Sequence, residues 1–500
     1  MRLLCILFAG ALTLAPLFAR ADDAATLLAK HRAFVGWQFG DGTFRTLVLS
    51  GDVVHGGKKV IETRKILAGA VKRVEDKDLK HGWTTQSGFT GHVYWASDEN
   101  GFTRPELGDV QRYLIASDLT FNEAASELSG KIVGSANVDG SSTTIVRVTP
   151  ENADTLDLYI DPATGAYKRV VLDPRGTYET TWDILAYADA LPGKKLISKY
   201  KEPGSDYLDE WTKFIPNAPI AAADVHPPAQ TATWTFASGN PFPIKLAANR
   251  IFIDAKVNGV PGRFILDTGD GGGVLLKQQF ADRAHVKATG SIVGYGFGGS
   301  ANESTVRIDA LGVGGNTLHN LYATSQRFDY NTFQDADGLI GFDLLAGAVV
   351  SLDLGSQTMT IKDPATTPVD SNKGLLAVVD LTQAIPRLPM KLDNIDVNVE
   401  LDSGTPDLIV YGHDLVFKYG LRTLSNPNWE IGGIGGTERV ACGTLDSLSV
   451  GPIVYRSPFA CESGDFDGRE ALVGLDFMRH FNWVFDYPHA QIIIIPRNDQ

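Results

Sequence analysis

The chain has 500 residues, 43% of them hydrophobic and 21% charged, with a formal net charge of −14. That length suits about three compact units, and the composition excludes a disordered or collagen-like chain. An acidic balance of this kind also argues against nucleic acid and anionic membrane surfaces as partners.

The first residues read as an export signal. Met1 and Arg2 form a short basic start, Leu3 to Phe18 is an apolar run, and Ala19-Arg20-Ala21 supplies small residues at the positions a signal peptidase reads. Residues 1–21 are therefore expected to leave as a signal peptide, with cleavage before Asp22. Arg2 and Arg20 go with it, which takes the net charge from −14 to −16. No later apolar stretch is long enough to cross a bilayer, so a periplasmic or secreted protein is expected. Cys5 is lost with the signal, leaving Cys442 and Cys461. Two cysteines in one region of an exported protein are expected to form a disulfide.

Residues 22–214 read as an N-terminal β-rich domain. A helix is expected around Ala24 to Gly36, followed mostly by strands. Leu156–Ile160 and Tyr167–Leu172 flank Asp161-Pro162-Ala163-Thr164-Gly165 as a hairpin. Gly91 to Trp95 and Gly101 to Pro105 suggest a second strand pair. The strand rhythm resembles the curved half-barrel sheets of periplasmic lipoprotein-carrier proteins. Trp83, Trp95 and Trp182 are candidates for a ligand groove, although filling the core of a twisted sheet is the expected role of such side chains. Residues 215–243 form a Pro- and Ala-rich linker in which Pro216, Pro219, Pro227, Pro228, Pro241 and Pro243 are expected to break any regular element.

From about Ile244 short apolar runs alternate with glycines, as in a β-rich fold with many turns, and the pattern is duplicated. Phe264-Ile265-Leu266-Asp267-Thr268-Gly269 corresponds to Val399-Glu400-Leu401-Asp402-Ser403-Gly404. Gly338-Leu339-Ile340-Gly341-Phe342-Asp343 corresponds to Ala471-Leu472-Val473-Gly474-Leu475-Asp476. Asp267 precedes Gly341 by 74 residues and Asp402 precedes Gly474 by 72; Asp267 precedes Asp353 by 86 and Asp402 precedes Asp486 by 84. Glycine-rich hairpin tips also fall in step, at Gly294 to Gly299 and at Gly432 to Gly436. A single Asp-Thr-Gly carries little information, whereas two such triplets at matching places in two matching repeats carry a great deal.

These residues resemble the pepsin and retropepsin superfamily of aspartic peptidases over Ile244 to Pro496, about half of the chain. The resemblance implies a mostly β fold: a bilobal pepsin-like (duplicated retropepsin-type) β-barrel domain preceded by the β-rich curved-sheet domain. Lobe 1 would span 244–363, an inter-lobe connection 364–386 and lobe 2 387–497. It implies catalytic Asp267 and Asp402, with Gly341 and Gly474 packed beneath their loops. Having both triplets in one chain implies a monomer that does what a retropepsin does as a dimer.

The chemistry needs two carboxylates that share a proton and a water. Like charges at that range cannot both ionise, so one group titrates low and the other high, giving a base for the water and an acid for the carbonyl oxygen. Thr268 and Ser403 carry hydroxyls that can brace the two loops, and Gly269 and Gly404 permit close backbone approach. The hairpin around Tyr295 and Phe297 is a candidate flap over the substrate, or else an ordinary turn. Two positions depart from the family pattern: Asp270, where Ala or Ser is usual, and Pro406, where a small hydroxyl residue is usual.

Other chemistries lack their residues. There is no Gly-x-Ser-x-Gly elbow, no His-Glu-x-x-His, and no Lys and Ser/Thr after the glycine-rich stretches that a phosphate loop would need. Neither a metal nor a cofactor is expected, and the partner is a peptide or protein substrate. The competing reading is a pepsin-like scaffold that binds peptides or proteins without cutting them, with a ligand-binding N-terminal domain.

Overall fold

The structure is a computed structural model. It describes residues 23–497 apart from 56–57, 68–71, 79, 81–82, 177–178, 297–298, 328–334, 412–425, 434–435 and 465–469. The expected signal peptide lies outside the described residues. Among those residues the chain is mostly β, and no helix is long and apolar enough to cross a membrane.

The first helix, Ala24–Val35, starts where the Asp23 carboxylate accepts the Thr26 N–H and stops at Gly36 in the left-handed region, φ 78°. The strands from Thr46–His55 to Leu208–Pro216 then form one thirteen-stranded sheet. Two meanders meet where Thr46–His55 pairs antiparallel with Leu208–Pro216. The expected hairpin is present, Leu158 opposite Val170. The second expected pair runs slightly later, as Tyr94–Ser97 against Thr103–Glu106. A helix at Gly108–Phe121 lies in the region expected to be mostly strands, and Leu107, its N-cap residue, makes no side-chain cap. Trp95 and Trp182 are buried, Trp182 in the core that also takes Leu27, Leu158 and Trp211. Both are therefore structural and not groove-lining.

The linker is more ordered than its prolines suggest. Thr233–Thr235 pairs with Asn316–Gln326, and Phe242–Pro243 pairs with Thr358–Lys362. Both are edge positions, and at Phe242–Pro243 the missing proline N–H costs no ladder bond.

Two nine-stranded sheets and one six-stranded sheet follow. In the first, Val260–Leu266 runs parallel to Gly338–Ile340, which is also antiparallel to Val274–Lys277. In the second, Ile395–Leu401 runs parallel to Ala471–Val473, which is antiparallel to Leu408–Tyr411. A three-residue apolar strand thus sits between the strand entering each Asp and the strand leaving it. Leu266, Ile340, Leu401 and Val473 are all buried, each worth about 1.5–3 kcal/mol of apolar burial. The six-stranded sheet joins the repeats by pairing Val349–Asp353 with Phe481–Asp486, Val350 opposite Phe485. Asp353 and Asp486 end equivalent strands there, as their spacings suggest.

Candidate active site

Each catalytic candidate sits one residue beyond its strand. The Asp267 N–H donates to the Ile340 carbonyl and the Asp402 N–H to the Val473 carbonyl, both at 3.0 Å. Each loop then turns on its own carboxylate: the Gly269 N–H donates to Asp267 Oδ1 at 3.0 Å, and the Gly404 N–H to Asp402 Oδ1 at 2.8 Å. A Cβ on Gly269 would overlap the Asp402 carboxylate, and one on Gly404 would overlap that of Asp267. The two loops approach so closely that only glycine fits at either position. Gly341 and Gly474 lie against the loop backbones at the Asp267 and Asp270 carbonyls and at the Thr405 and Asp407 carbonyls, where a Cβ would also clash.

Thr268 and Ser403 are almost fully buried and bond reciprocally. Thr268 Oγ1 donates to the Leu401 carbonyl at 2.7 Å and accepts the Ser403 N–H at 2.9 Å. Ser403 Oγ donates to the Leu266 carbonyl at 2.7 Å and accepts the Thr268 N–H at 3.1 Å. Each hydroxyl thereby ties its own loop to the strand and loop of the other repeat, which sets the separation of the carboxylates.

The Asp267 and Asp402 carboxyls are hydrogen-bonded to each other. Burial and the neighbouring Asp270 push Asp267 up to about 6, against the lowering effect of Asp402, the Gly269 N–H and Arg250. Burial and the charge of Asp267 hold Asp402 well above the usual carboxylate range. Two like charges this close disfavour ionisation of both groups at once, so the pair titrates as a unit.

The dyad opens into a cavity of about 690 Å³. Ile292, Val293, Gly294 and Gly296 of the first glycine-rich hairpin line it, as do Glu430 to Gly433 of the second. The Tyr295 backbone lies in this hairpin, paired with Ser300; its side chain and Phe297 lie outside the described residues. Pro406 lines the cavity, and its carbonyl accepts the Asp476 N–H at 2.9 Å. Cys442 and Cys461 form a disulfide between directly opposed strand residues, and neither lines the cavity.

Several lining residues carry no motif. Trp83, Asp98, Glu99 and Asn100 come from the N-terminal half. Asn100 docks by donating to the Tyr322 carbonyl at 3.0 Å and to Asp343 Oδ1 at 3.2 Å, and by accepting the Tyr322 N–H at 2.7 Å. The turn signal Asp98-Glu99-Asn100-Gly101 could have marked a loop, but nothing in it marks its partner. Arg250, at the start of the strand Arg250–Val257, is held down by burial and raised by Asp402, Asp267 and Asp407. Glu303 and Asp343 complete this set.

Residues 253–344 match the family model described as aspartyl protease. No curated protein matches the chain. Among solved structures, a retropepsin-like aspartic protease from Rickettsia conorii is 17% identical, covering 24% of this chain and 89% of that one, with a TM-score of 0.21. An aspartic proteinase from Irpex lacteus is 14% identical, covering 52% and 97%, with a TM-score of 0.36. The family likeness to aspartyl proteases thus rests on residues 253–344, a stretch that holds Asp267 and ends before Asp402.

Proposed function

We propose that the chain is an exported aspartic endopeptidase, with a two-lobed pepsin-like unit behind a curved-sheet N-terminal domain. The units run as 22–214, 244–363 and 387–497, joined through 215–243 and 364–386. The observation that carries the reading is the reciprocal clamp of Thr268 and Ser403 around two hydrogen-bonded carboxylates. A periplasmic or secreted destination is supported by the pattern of residues 1–21 and by the Cys442–Cys461 disulfide, a bond kept mainly in oxidising compartments.

A water between Asp267 and Asp402 gives a proton to the ionised member of the pair as its oxygen attacks the scissile carbonyl carbon. The protonated member gives its proton to the carbonyl oxygen, forming a neutral gem-diol. On collapse one gem-diol hydroxyl returns its proton to the dyad, the C–N bond breaks, and the leaving nitrogen takes the dyad's other proton. The dyad ends as it began, with one proton. The glycine-rich hairpin at 288–313 excludes bulk water from this step, in keeping with its place on the cavity wall.

A statine-type peptide tests the reading, because its hydroxyl occupies the place of the water. It should bind wild type at least about 100-fold more tightly than Asp267→Asn or Asp402→Asn. Equal affinity for all three proteins would refute the mechanism.

A further inference from the structure

The cavity wall is strongly one-sided in charge. Besides the dyad, the carboxylates of Asp98, Glu99, Asp270, Glu303, Asp343, Asp407 and Glu430 line it. Arg250 is the one basic side chain among the described lining residues, and its charge acts on Asp402, Asp267 and Asp407. Among the described residues, the charged groups acting on Asp270 and Asp343 are all acidic: Glu303 and Asp402 on the first, Asp98, Asp270 and Glu99 on the second.

Two of these carboxylates hold an oxygen without a partner among the described residues. Asp343 is 2% exposed; its Oδ1 accepts from Asn100, and its Oδ2 is buried with no hydrogen bond. Asp270 Oδ1 accepts the Gly272 N–H at 3.0 Å, while its Oδ2 is likewise buried and unbonded. Glu303, 6% exposed, lies beneath Gly294 of the hairpin, where a Cβ would overlap its carboxylate. A buried carboxylate oxygen with no donor is costly, and here the two residues that carry them both line the cavity.

We propose that this wall is a subsite for a lysine or arginine side chain of the substrate, its cationic head set among Asp270, Glu303 and Asp343. The proposal rests on the peptidase reading for what enters the cleft, and it names the substrate class: peptides with a basic residue beside the scissile bond. Burial and Glu303 push Asp270 up to about 7, and burial with Asp98 holds Asp343 well above the carboxylate range; an incoming cation offsets both effects. An ammonium or guanidinium also supplies several donors from one centre, enough for both unbonded oxygens. The loop of Asp98, Glu99 and Asn100 backs the wall, so the N-terminal half helps to build the subsite.

The test separates this proposal from the peptidase reading by measuring binding without cleavage. Full-length Asp402→Asn protein is titrated with dye-labelled peptide pools in which each position in turn is lysine, norleucine or glutamate, read by fluorescence anisotropy. At one position lysine should bind about tenfold or more tightly than norleucine, with glutamate weakest. Adding Asp343→Asn or Glu303→Gln should collapse the lysine-to-norleucine ratio; Asn at 343 keeps an acceptor for Asn100, and Glu303→Gln gives a second reading if the first variant folds poorly. No lysine preference at any position, no binding of any peptide, or a ratio unchanged in both variants overturns the subsite. Lysine-selective binding by a protein whose wild type cleaves nothing upholds the subsite and refutes the peptidase. Cleavage by wild type with no basic preference does the reverse.

Discussion

Replacing Ser403 by alanine removes one hydroxyl that serves both repeats. Its Oγ donates to the Leu266 carbonyl and accepts the Thr268 N–H, and the side chain is 0% exposed. The substitution opens no cavity that water can fill, so two buried backbone groups lose this partner. At about 1–3 kcal/mol for each orphaned group, the expected loss is about 2–6 kcal/mol. For a unit of this size that lowers the calorimetric Tm by about 5–15 °C. The same change frees the two loops to drift apart, and a misplacement of about 1 Å costs about 100-fold in kcat. Thr268→Ala should behave alike, since Thr268 Oγ1 makes the mirror-image bonds. The double variant should cost less than the sum of the singles, because they dismantle one network. Calorimetry with peptide-cleavage kinetics on the three proteins makes the comparison. Ser403→Ala that unfolds within about 0.5 kcal/mol of wild type and keeps its kcat would refute the clamp as the device that sets the dyad.

The first ionisation of the dyad lies at about 6, so kcat/KM should rise with pH to about 6 and hold until the higher-titrating proton leaves; initial rates from pH 3 to 9 check this, and a maximum below pH 4 would contradict it. Asp270 is raised to about 7 from 3.8, so its native-state penalty is absent at pH 3, builds up between about pH 4 and pH 7, and is complete above that. Asp270→Asn should therefore gain about 1–2 kcal/mol over wild type at pH 8, after allowing for screening at a partly exposed group, and gain nothing at pH 3. Equal Tm differences at both pH values would count against that assignment. The Cys442–Cys461 bond closes a separation of 19 residues, so the double Cys→Ala variant should lose about 3 kcal/mol; as both sulfurs lie away from the cleft, its kcat at 25 °C should stay near that of wild type.

What was legible in the sequence is what close approach dictates. Gly269 and Gly404 each abut the opposite carboxylate, Thr268 and Ser403 each need a hydroxyl for a cross-repeat bond, and Gly341 and Gly474 lie against loop backbone. Such constraints leave few residue types to choose from, so they write themselves as motifs at matched spacings. The acidic wall is different. Asp343 reads as a residue beyond the Leu-Ile-Gly segment, and only tertiary packing sets it beside Asp270 and Asn100, the latter 243 residues away. Arg250 reaches the cleft in the same way, through a chain path no local pattern encodes. The helix Gly108–Phe121 escaped notice because its buried positions include Asp118 and Thr120, which break the apolar period. Asp118 is satisfied by Lys72 and Tyr94 from neighbouring strands. The linker strand Phe242–Pro243 was hidden for a related reason: an edge strand tolerates a proline that a central strand would not.

Cleavage of a mixed peptide library by the full chain, followed by mass spectrometry from pH 3 to 9, tests the shared-carboxylate claim most directly when wild type is compared with Asp267→Asn and Asp402→Asn. The account predicts cleavage by wild type with a basic residue enriched beside the cut, and its loss in both variants. Products formed at the wild-type rate by either variant, or no products from wild type at any pH, would contradict it.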